Sequence, residues 1–330
     1  MIMETGTIHI AYTTNRNYVS FAAISCQSLM ESNPDTKFHI HVLGHELEQQ
    51  DVDNIYAVIP RERAELAIYP MEKLREMLTI KVPDSFPLIA YARLFLASVL
   101  PNDVNRVIYL DGDTIIRGNI RPLYETDLND SLVGGIIDPT ASLEYKRRTG
   151  IANDEPYINA GVLVIPLDRW RKEKLEEHFV EHLRMHNGSV FLFDQGLVNA
   201  VCAGRKKLIT PQYDLMTNYI AYPYKFLKKY NAPFYSKSIV QAAIDNPVII
   251  HFTGRLYGRP WEDDCKHPYK EEFLSHKSHT PYKDLPEGHA KLDGFDKMSN
   301  WVYWNCPFFI YALYMKLFYL ISHIKNSNAI

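Results

Sequence analysis

The chain has 330 residues, enough for one large domain or two modest ones. Hydrophobic residues make up 46% and charged residues 23%, which is the balance of an ordinary folded core. The 36 basic and 39 acidic residues give a formal charge of −3, which argues against a nucleic-acid binder with an overall basic surface.

The start of the chain and its cysteines point to a cytoplasmic protein. The stretch "MIMETGTIHIAYTT" has no basic segment followed by a long apolar one, so we expect no secretory signal. The cysteines lie far apart without a CxxC pair, which predicts free thiols rather than disulfides or a zinc site. They are Cys26, Cys202, Cys265 and Cys306.

Strand and helix patterns alternate along the chain. Strands are predicted at 7–13, 37–44, 64–71, 106–111, 132–138, 158–166 and 247–254. Helices are predicted at 18–32, 48–59, 89–101, 167–187 and, with Asp194 as N-cap, 194–204. This order is typical of an α/β fold with a mostly parallel sheet, helices on both faces and ligands beyond the carboxyl ends of the strands.

The C-terminal part has a different composition. Residues 276–294 are polar and contain Pro and Gly, which predicts irregular structure or a linker. Beyond them, Pro307–Ile324 would form a helix of roughly 27 Å capped by Asn305, slightly short of a bilayer core. Lys316 in its middle would cost about 2.5–3.5 kcal/mol at a membrane centre.

Aromatic residues crowd this tail, and such residues favour the water–lipid boundary. They are Trp301, Tyr303, Trp304, Phe308, Phe309, Tyr311, Tyr314, Phe318 and Tyr319. We therefore expect the tail to attach the protein peripherally to a membrane surface. Packing on the rest of the chain and a true membrane span are the alternatives.

Asp111 and Asp113 follow the apolar run "VIYL", at the strand end where ligands gather. Two carboxylates one residue apart can bind one Mg²⁺ or Mn²⁺ ion together with phosphate oxygens. Asp-Gly-Asp also makes good turns, which is the alternative interpretation. His251 ends a later strand and offers a nitrogen ligand that favours Mn²⁺, although a hydrogen-bonded structural histidine is the simpler interpretation.

Seven motifs in order resemble glycosyltransferase family 8, the retaining, metal-dependent sugar transferases. They span about 7–261 and are "AYTTNRNYVSFAAISCQSL", "HVLG", "YARLFLASVLP", "VIYLDGDTII", "YINAGVLVIPLDRWR", "FDQGLVNAV" and "HFTGRLYGRPW". The resemblance implies a GT-A fold and a donor that is UDP-galactose or UDP-glucose. It also implies that Asp111, Asp113 and His251 hold Mn²⁺ or Mg²⁺ against the diphosphate.

The resemblance assigns further residues to the donor. Arg93 would lie near the sugar and phosphate, and Asp138 and Asn159 would bind sugar hydroxyls. The alternatives are a surface arginine, a turn cap at Asp138 and a bulge or turn residue at Asn159. The remaining residues assigned to donor binding are Thr13, Asn15, Tyr18, Gly112, Ala160, Gly254 and Arg259.

Asp194 and Gln195 match the family's pair beneath the anomeric carbon. An amide oxygen is weakly basic, so we expect both residues to stabilise positive charge in a same-face substitution rather than to form a covalent intermediate. Asp194 has the helix cap as its alternative role, and the two roles can coexist.

The chain departs from the family pattern at three places. Asn15 stands where the family usually has Asp, which makes the preference for uracil less secure. Arg259-Pro260-Trp261 replaces Lys-Pro-Trp, with two extra residues after Gly254. Arginine can bind diphosphate in bidentate fashion, so donor binding should survive with altered geometry.

These observations predict a hexosyltransferase with a GT-A catalytic domain at 1–265 and a membrane-interfacial extension at 266–330. It would extend a surface glycan such as lipopolysaccharide or capsule at the cytoplasmic face of the cell membrane, where its acceptor is expected to be lipid-linked. A glycogenin-like self-glucosylating initiator and a non-catalytic nucleotide-sugar-binding protein are the alternatives.

Overall fold

The computed structural model describes residues 6–78, 88–231 and 233–327, without the side chains of residues 230 and 319–327. The strands are β1 Ile8–Asn15, β2 Phe38–His45, β3 Ala64–Pro70, β4 Arg106–Leu110, β5 Thr114–Ile116, β6 Val133–Ile137, β7 Ile158–Pro166, β8 Lys206–Leu208, β9 Leu215–Met216 and β10 Ile249–His251. All seven predicted strands are confirmed within a few residues, whereas the short β5, β8 and β9 were not predicted as separate strands.

Helices connect most of these strands, and the last three helices follow β10. They are α1 Val19–Ser32, α2 Gln49–Ala57, α3 Leu74–Leu78, α4 Leu96–Val99, α5 Arg121–Tyr124, α6 Leu143–Thr149, α7 Leu167–Lys172, α8 Leu175–Met185, α9 Phe193–Val201, α10 Thr217–Ala221, α11 Tyr224–Tyr230, α12 Lys237–Asp245, α13 Lys270–Ser278, α14 Gly294–Asn305 and α15 Phe308–Ser327. Two 3-10 helices cover Leu88–Phe95 and Pro211–Tyr213.

The strands form two sheets. The large sheet has the order β3-β2-β1-β4-β7-β6-β8, and the small one has the order β5-β10-β9. In the large sheet only the pairs β4–β7 and β7–β6 are antiparallel, so the mostly parallel sheet is confirmed.

Apolar side chains alternate across the large sheet and fill a core on each face. Ile10 and Ile108 pack with α1 and the small sheet. Ala11 and Tyr109 face the other core, together with the 3-10 helix Leu88–Phe95. The sheet is therefore buried on both faces, as its near-continuous hydrophobic runs require.

Several predicted helices differ from the structure. The predicted helix 89–101 is a 3-10 helix followed by the single turn α4. The predicted helix 167–187 is broken into α7 and α8 because Lys174 adopts a left-handed conformation with φ 52°. Helix α9 has Leu192 rather than Asp194 as its N-cap, and it ends at Val201, before Gly204. Amphipathic periodicity alone does not reveal such breaks, because it persists across them.

The C-terminal part is more ordered than the composition predicted. Helix α13 covers the start of the segment predicted to be irregular, and Phe273 from this helix packs into the same core as β10. Asn305 ends α14 instead of capping the tail helix, which begins at Phe308.

Helix α15 packs partly on the rest of the chain. Tyr311 is buried with Ala221, Leu256 and Val302, and its hydroxyl lies 3.0 Å from that of Tyr222. Within the described residues, we find no helix both long and apolar enough to cross a membrane.

Candidate active site

The Asp-Gly-Asp turn lies where the chain passes from the large sheet into the small one. Strand β4 ends at Leu110, and β5 begins at Thr114. The Asp111 amide donates to the Gly161 carbonyl of β7 at 2.7 Å, and the Phe252 amide donates to the Asp113 carbonyl at 3.0 Å. Backbone bonds to both sheets therefore fix the position of both carboxylates.

The small sheet brings His251 to this turn. Strand β10 runs antiparallel to β5 and places His251 opposite Thr114. Its Nε2 lies 3.1 Å from Asp113 Oδ1 and 3.9 Å from Asp111 Oδ2. One ligand atom from each of the three residues lies within 4.8 Å of the other two.

Asp214 orients the imidazole of His251. Its Oδ1 lies 2.9 Å from His251 Nδ1, and its side chain is fully buried. A carboxylate bound to one ring nitrogen fixes the other nitrogen as a metal ligand. The sequence analysis missed Asp214 because it lies in a loop just before β9, without a periodic signal.

Gly161 leaves room for the imidazole of His251 beside the carboxylate of Asp111. A Cβ added at this position would lie 2.2 Å from His251 Cε1 and 2.8 Å from Asp111 Oδ2. Two carboxylates and an oriented imidazole form a donor set for Mn²⁺ or Mg²⁺. The residues present therefore fit a divalent cation.

The charges around the turn perturb the ionisation of these groups. Burial alone lowers the pKa of His251, but the carboxylates of Asp113 and Asp214 raise it well above its usual value. Burial alone raises the pKa of Asp113, but His251 and Arg259 hold it well below its usual range. A bound cation would take the place of the proton on Nε2, because a metal ligand must be deprotonated.

Arg93 ties this turn to helix α9. Its guanidinium lies 3.0 Å from Asp111 Oδ1 and 3.0 Å from Asp194 Oδ2, and it donates to the Ala160 carbonyl at 2.7 Å. It also lies over the ring of Tyr109, whose hydroxyl donates to Asp111. The side chain is buried, so the interpretation of Arg93 as a surface arginine is wrong.

Tyr109 is a second residue that the sequence analysis missed. It lies two residues before Asp111 on the same face of the strand, and this alternation was a signal that could have found it. Its hydroxyl lies 2.8 Å from Thr13 Oγ1, so Thr13 contacts the turn through Tyr109.

Gln195 lies in a second hydrogen-bond network. Its Oε1 accepts from Asn159 Nδ2 at 3.1 Å and from the Ala160 amide at 3.3 Å. Its Nε2 donates to Asp138 Oδ2 at 3.1 Å. The amide group is thereby held in one orientation from both ends.

Asp138 and Asn159 also make the local bonds that the simpler interpretations predict. Asp138 Oδ1 accepts from the Thr140 amide at 2.9 Å, which is the bond of a turn cap. Asn159 Oδ1 accepts from the Gly161 amide at 2.7 Å. Each side chain combines this local bond with a bond to Gln195.

Asp194 lies between the two networks. Leu192 is the N-cap of α9, and the carboxylate of Asp194 in the first turn bonds both to Arg93 and to the backbone amides of Asp194 and Gln195. Burial raises the pKa of Asp194 to about 6 against the opposing charge of Arg93, and Asp111 adds to the rise.

Other predicted donor residues surround these networks. Arg259 donates to Asp113 Oδ2 at 2.9 Å. Gly112 passes close to helix α1, where an added Cβ would lie 3.1 Å from the Ala22 nitrogen. Gly254 has φ +70°, a conformation that favours glycine.

Asn15 and Tyr18 lie apart from this cluster. Asn15 Oδ1 accepts from the Asn17 amide, and the side chain of Tyr18 is 55% exposed. Among the described residues, neither side chain has a hydrogen bond to the two networks.

Two enzymes of lipopolysaccharide synthesis are similar to this chain. The lipopolysaccharide 1,2-glucosyltransferase of Escherichia coli is 23% identical over 296 residues, which cover 86% of this chain and 81% of that protein. The lipopolysaccharide 1,3-galactosyltransferase of Salmonella typhimurium is 21% identical over 293 residues, which cover 84% and 80%.

The fold is similar to that of the galactosyltransferase LgtC, crystallised with donor and acceptor sugar analogs. The TM-score is 0.70 at 22% identity, over 85% of this chain and 98% of that one. This likeness confirms the predicted GT-A fold. The sequence profile of glycosyl transferase family 8 matches residues 9–265, most of the chain. The chain therefore belongs to glycosyl transferase family 8 and is a glycosyltransferase, as its motifs predicted.

Proposed function

We propose that the chain moves galactose or glucose from a UDP-sugar to a hydroxyl of a glycan, with retention and with a bound divalent metal. This proposal rests mainly on the position of Asp111, Asp113 and His251, since one ligand atom from each residue lies within 4.8 Å of the other two. The names of the two lipopolysaccharide glycosyltransferases support a hexose and a role in lipopolysaccharide or another surface glycan.

The same three residues would hold Mn²⁺ or Mg²⁺, and the imidazole favours Mn²⁺. The ion would act as a Lewis acid on the departing diphosphate. Arg259 is partly exposed beside Asp113, so it can turn from this carboxylate to the phosphates.

The bonds of Gln195 favour electrostatic stabilisation over covalent attack. Its oxygen already accepts two hydrogen bonds, which reduces its nucleophilicity. We therefore assign Gln195 and Asp194 to the stabilisation of positive charge on the sugar ring in a same-face substitution.

The remaining residues are assigned to binding the donor. Asp138 and Asn159 would pair with hydroxyls of the transferred sugar, because a buried unpaired hydroxyl costs about 1–3 kcal/mol. The other assigned donor residues are Thr13, Asn15, Tyr18, Arg93, Gly112, Ala160, Gly254 and Arg259.

We also propose that the extension 266–330 attaches the catalytic domain 1–265 to the inner face of the cell membrane, where it would meet a lipid-linked acceptor. Phe309, Leu313 and Leu317 are all at least half exposed and lie four residues apart, so they share one face of α15. Such an apolar face suits a membrane boundary.

A cavity of about 300 Å³ beside α14 supports the proposal that this part of the chain faces the membrane. Its walls include Arg255, Lys266 and Lys297 with Trp301 and Trp304, and Asp264 is its acidic lining residue. The fold thus places cations from the segment 252–266 and from α14 next to a tail that is itself only sparsely basic. Cations near a membrane favour anionic lipids.

Asp113→Ala should lower the release of sugar from UDP-galactose or UDP-glucose by on the order of 100-fold, because the leaving diphosphate loses its stabilisation. The rate is measured as release of UDP in the presence of Mn²⁺. Parallel assays with GDP- and ADP-sugars follow release of GDP and ADP. Asp130→Ala, an exposed acid remote from the site, is the control. Full activity of Asp113→Ala would remove the metal hypothesis, and no release by the wild type would favour a pure binding protein.

Gly161→Ala should prevent Mn²⁺ binding while the protein stays folded, because the new methyl group would collide with the His251 imidazole and displace it from Asp111. The matched control is Gly118→Ala, whose Cβ would meet Val248 Cγ1 at an ordinary 3.6 Å. Mn²⁺ titration followed by electron paramagnetic resonance measures both variants. Equal affinity of the two variants would contradict the site geometry.

Turnover should fall as the pH decreases through about 6, because the raised pKa of Asp194 converts the stabilising carboxylate to its neutral acid there. The rate is measured at saturating Mn²⁺ and donor from roughly pH 5 to 8, a range that includes the expected inflection. Asp194→Asn should be slow and should lack this inflection. An unchanged inflection in that variant would assign it to another group.

Replacing Phe309, Leu313 and Leu317 by serine should reduce binding to anionic vesicles at least about tenfold, because each buried apolar side chain contributes about 1.5–3 kcal/mol. Cosedimentation measures the bound fraction. The control replaces three exposed apolar residues elsewhere, Leu143, Met185 and Ile239. Equal binding of both triple variants would argue against attachment by this face.

A further inference from the structure

Three histidines form a cluster on the large sheet outside the candidate active site. One ligand nitrogen each from His9, His39 and His41 lies within 4.8 Å of the other two. His9 Nδ1 is 3.0 Å from His41 Nε2, and the ring centroids of His39 and His41 are 4.2 Å apart. Among the described residues, this is the second group of three side chains that could bind a metal ion together.

Strand register produces the cluster. His9 on β1 is the register partner of His39 on β2, and His41 lies two residues further along the same face of β2. The register partners of His41 on the two neighbouring strands are Ala11 and Ala67, whose small side chains leave room for the imidazoles. Rigid strands therefore position all three rings.

The cluster is separate from the donor site. His9 is near the amino end of β1, whereas Thr13, which contacts Tyr109 of the donor site, is four residues later. At about 3.3 Å per residue this separation is roughly 13 Å along the strand, and His41, whose register partner is Ala11, is roughly 7 Å from the level of Thr13. The donor-binding networks lie beyond the carboxyl end of β4 and at the start of β7, on the opposite side of β1 from β2.

Neighbouring groups can fix the ring tautomers. His41 Nδ1 lies 3.0 Å from the hydroxyl of Tyr69, so a hydrogen on Nδ1 donated to Tyr69 leaves Nε2 with its lone pair. The exposed carboxylate of Glu65 lies 3.8 Å from His39 Nδ1 and can act as a further oxygen ligand. These are the supporting contacts that a metal-binding histidine uses.

We propose that His9, His39 and His41 bind one divalent transition-metal ion of the class that prefers imidazole, such as Zn²⁺. Neutral imidazole is a good ligand for this class, and three protein ligands leave a position for water or Glu65. Binding would move the hydrogen of His9 from Nδ1 to Nε2 and free the lone pair that faces His41. The ion would link β1 to β2 outside the hydrogen-bond networks of the donor site.

The competing explanation is a metal-free stack of three rings. Burial, together with the charges of His39 and His9, lowers the pKa of His41 to about 3, so its ring is neutral near pH 7 and can stack without repulsion. A structural stack and a metal site make opposite predictions for bound zinc.

The test uses the full chain, freed of metal by a chelator and dialysed against Zn²⁺. The wild type should retain one equivalent of Zn²⁺ more than His39→Gln, which changes a partly exposed side chain. His9→Gln, the second variant, should lose the same equivalent. Unchanged circular dichroism and Mn²⁺-dependent UDP-sugar hydrolysis would show that the fold and the donor site are intact.

His182→Gln is the matched control. His182 of α8 and His186, the C-cap of this helix, stack with their ring centroids 4.3 Å apart, so they could form a competing two-ligand site for Zn²⁺. His182→Gln should retain the extra equivalent, as should Asp113→Ala. The same Zn²⁺ content in the wild type, His9→Gln and His39→Gln would overturn the proposal, and so would loss of the equivalent in His182→Gln alone.

Discussion

The site depends on the passage of the chain from one sheet to the other between Leu110 and Thr114. Asp111 remains bonded to β7 of the large sheet, while the carbonyl of Asp113 already pairs beside β10 of the small one. Backbone pairing with β5 holds β10 in place, and β10 brings His251 to the two carboxylates. His251 and its hydrogen-bond partner Asp113 are 138 residues apart in the sequence. Backbone pairing thus brings together acidic groups that would otherwise repel each other.

The charges at this junction favour a divalent ion. Four carboxylates lie in one connected network, those of Asp111, Asp113, Asp194 and Asp214. The guanidiniums of Arg93 and Arg259 balance two of them, and the protonated imidazole of His251 balances a third. Once His251 becomes neutral to bind a metal, an excess of two negative charges remains. Burying such an excess is costly, and a divalent cation would neutralise it.

The sequence predicted the parts of this molecule that depend on local pattern. Hydrophobic runs located the seven strands, and the motif order led to the family and the GT-A fold. What it could not show depends on pairing between distant segments: the role of Asp214, the register that gathers the three histidines and the space kept by Gly161. The breaks at Lys174 and at the 3-10 helix were missed because left-handed or tighter turns leave the apolar periodicity intact.

One segment, 252–266, joins the donor site to the proposed membrane-facing part. It begins after His251, contains Arg259 and supplies Arg255 and Lys266 to the cavity beside α14. Helix α14 is bonded to this segment, since Asn300 donates to the Arg255 carbonyl at 3.0 Å and Trp304 to the Leu256 carbonyl at 2.7 Å.

Because of these bonds, any membrane contact that positions α14 also positions the backbone that carries Arg259. Docking and donor binding would then share one structural element. In the proposed arrangement a lipid-linked acceptor would be brought to the donor at a defined height above the membrane, rather than only concentrated near it.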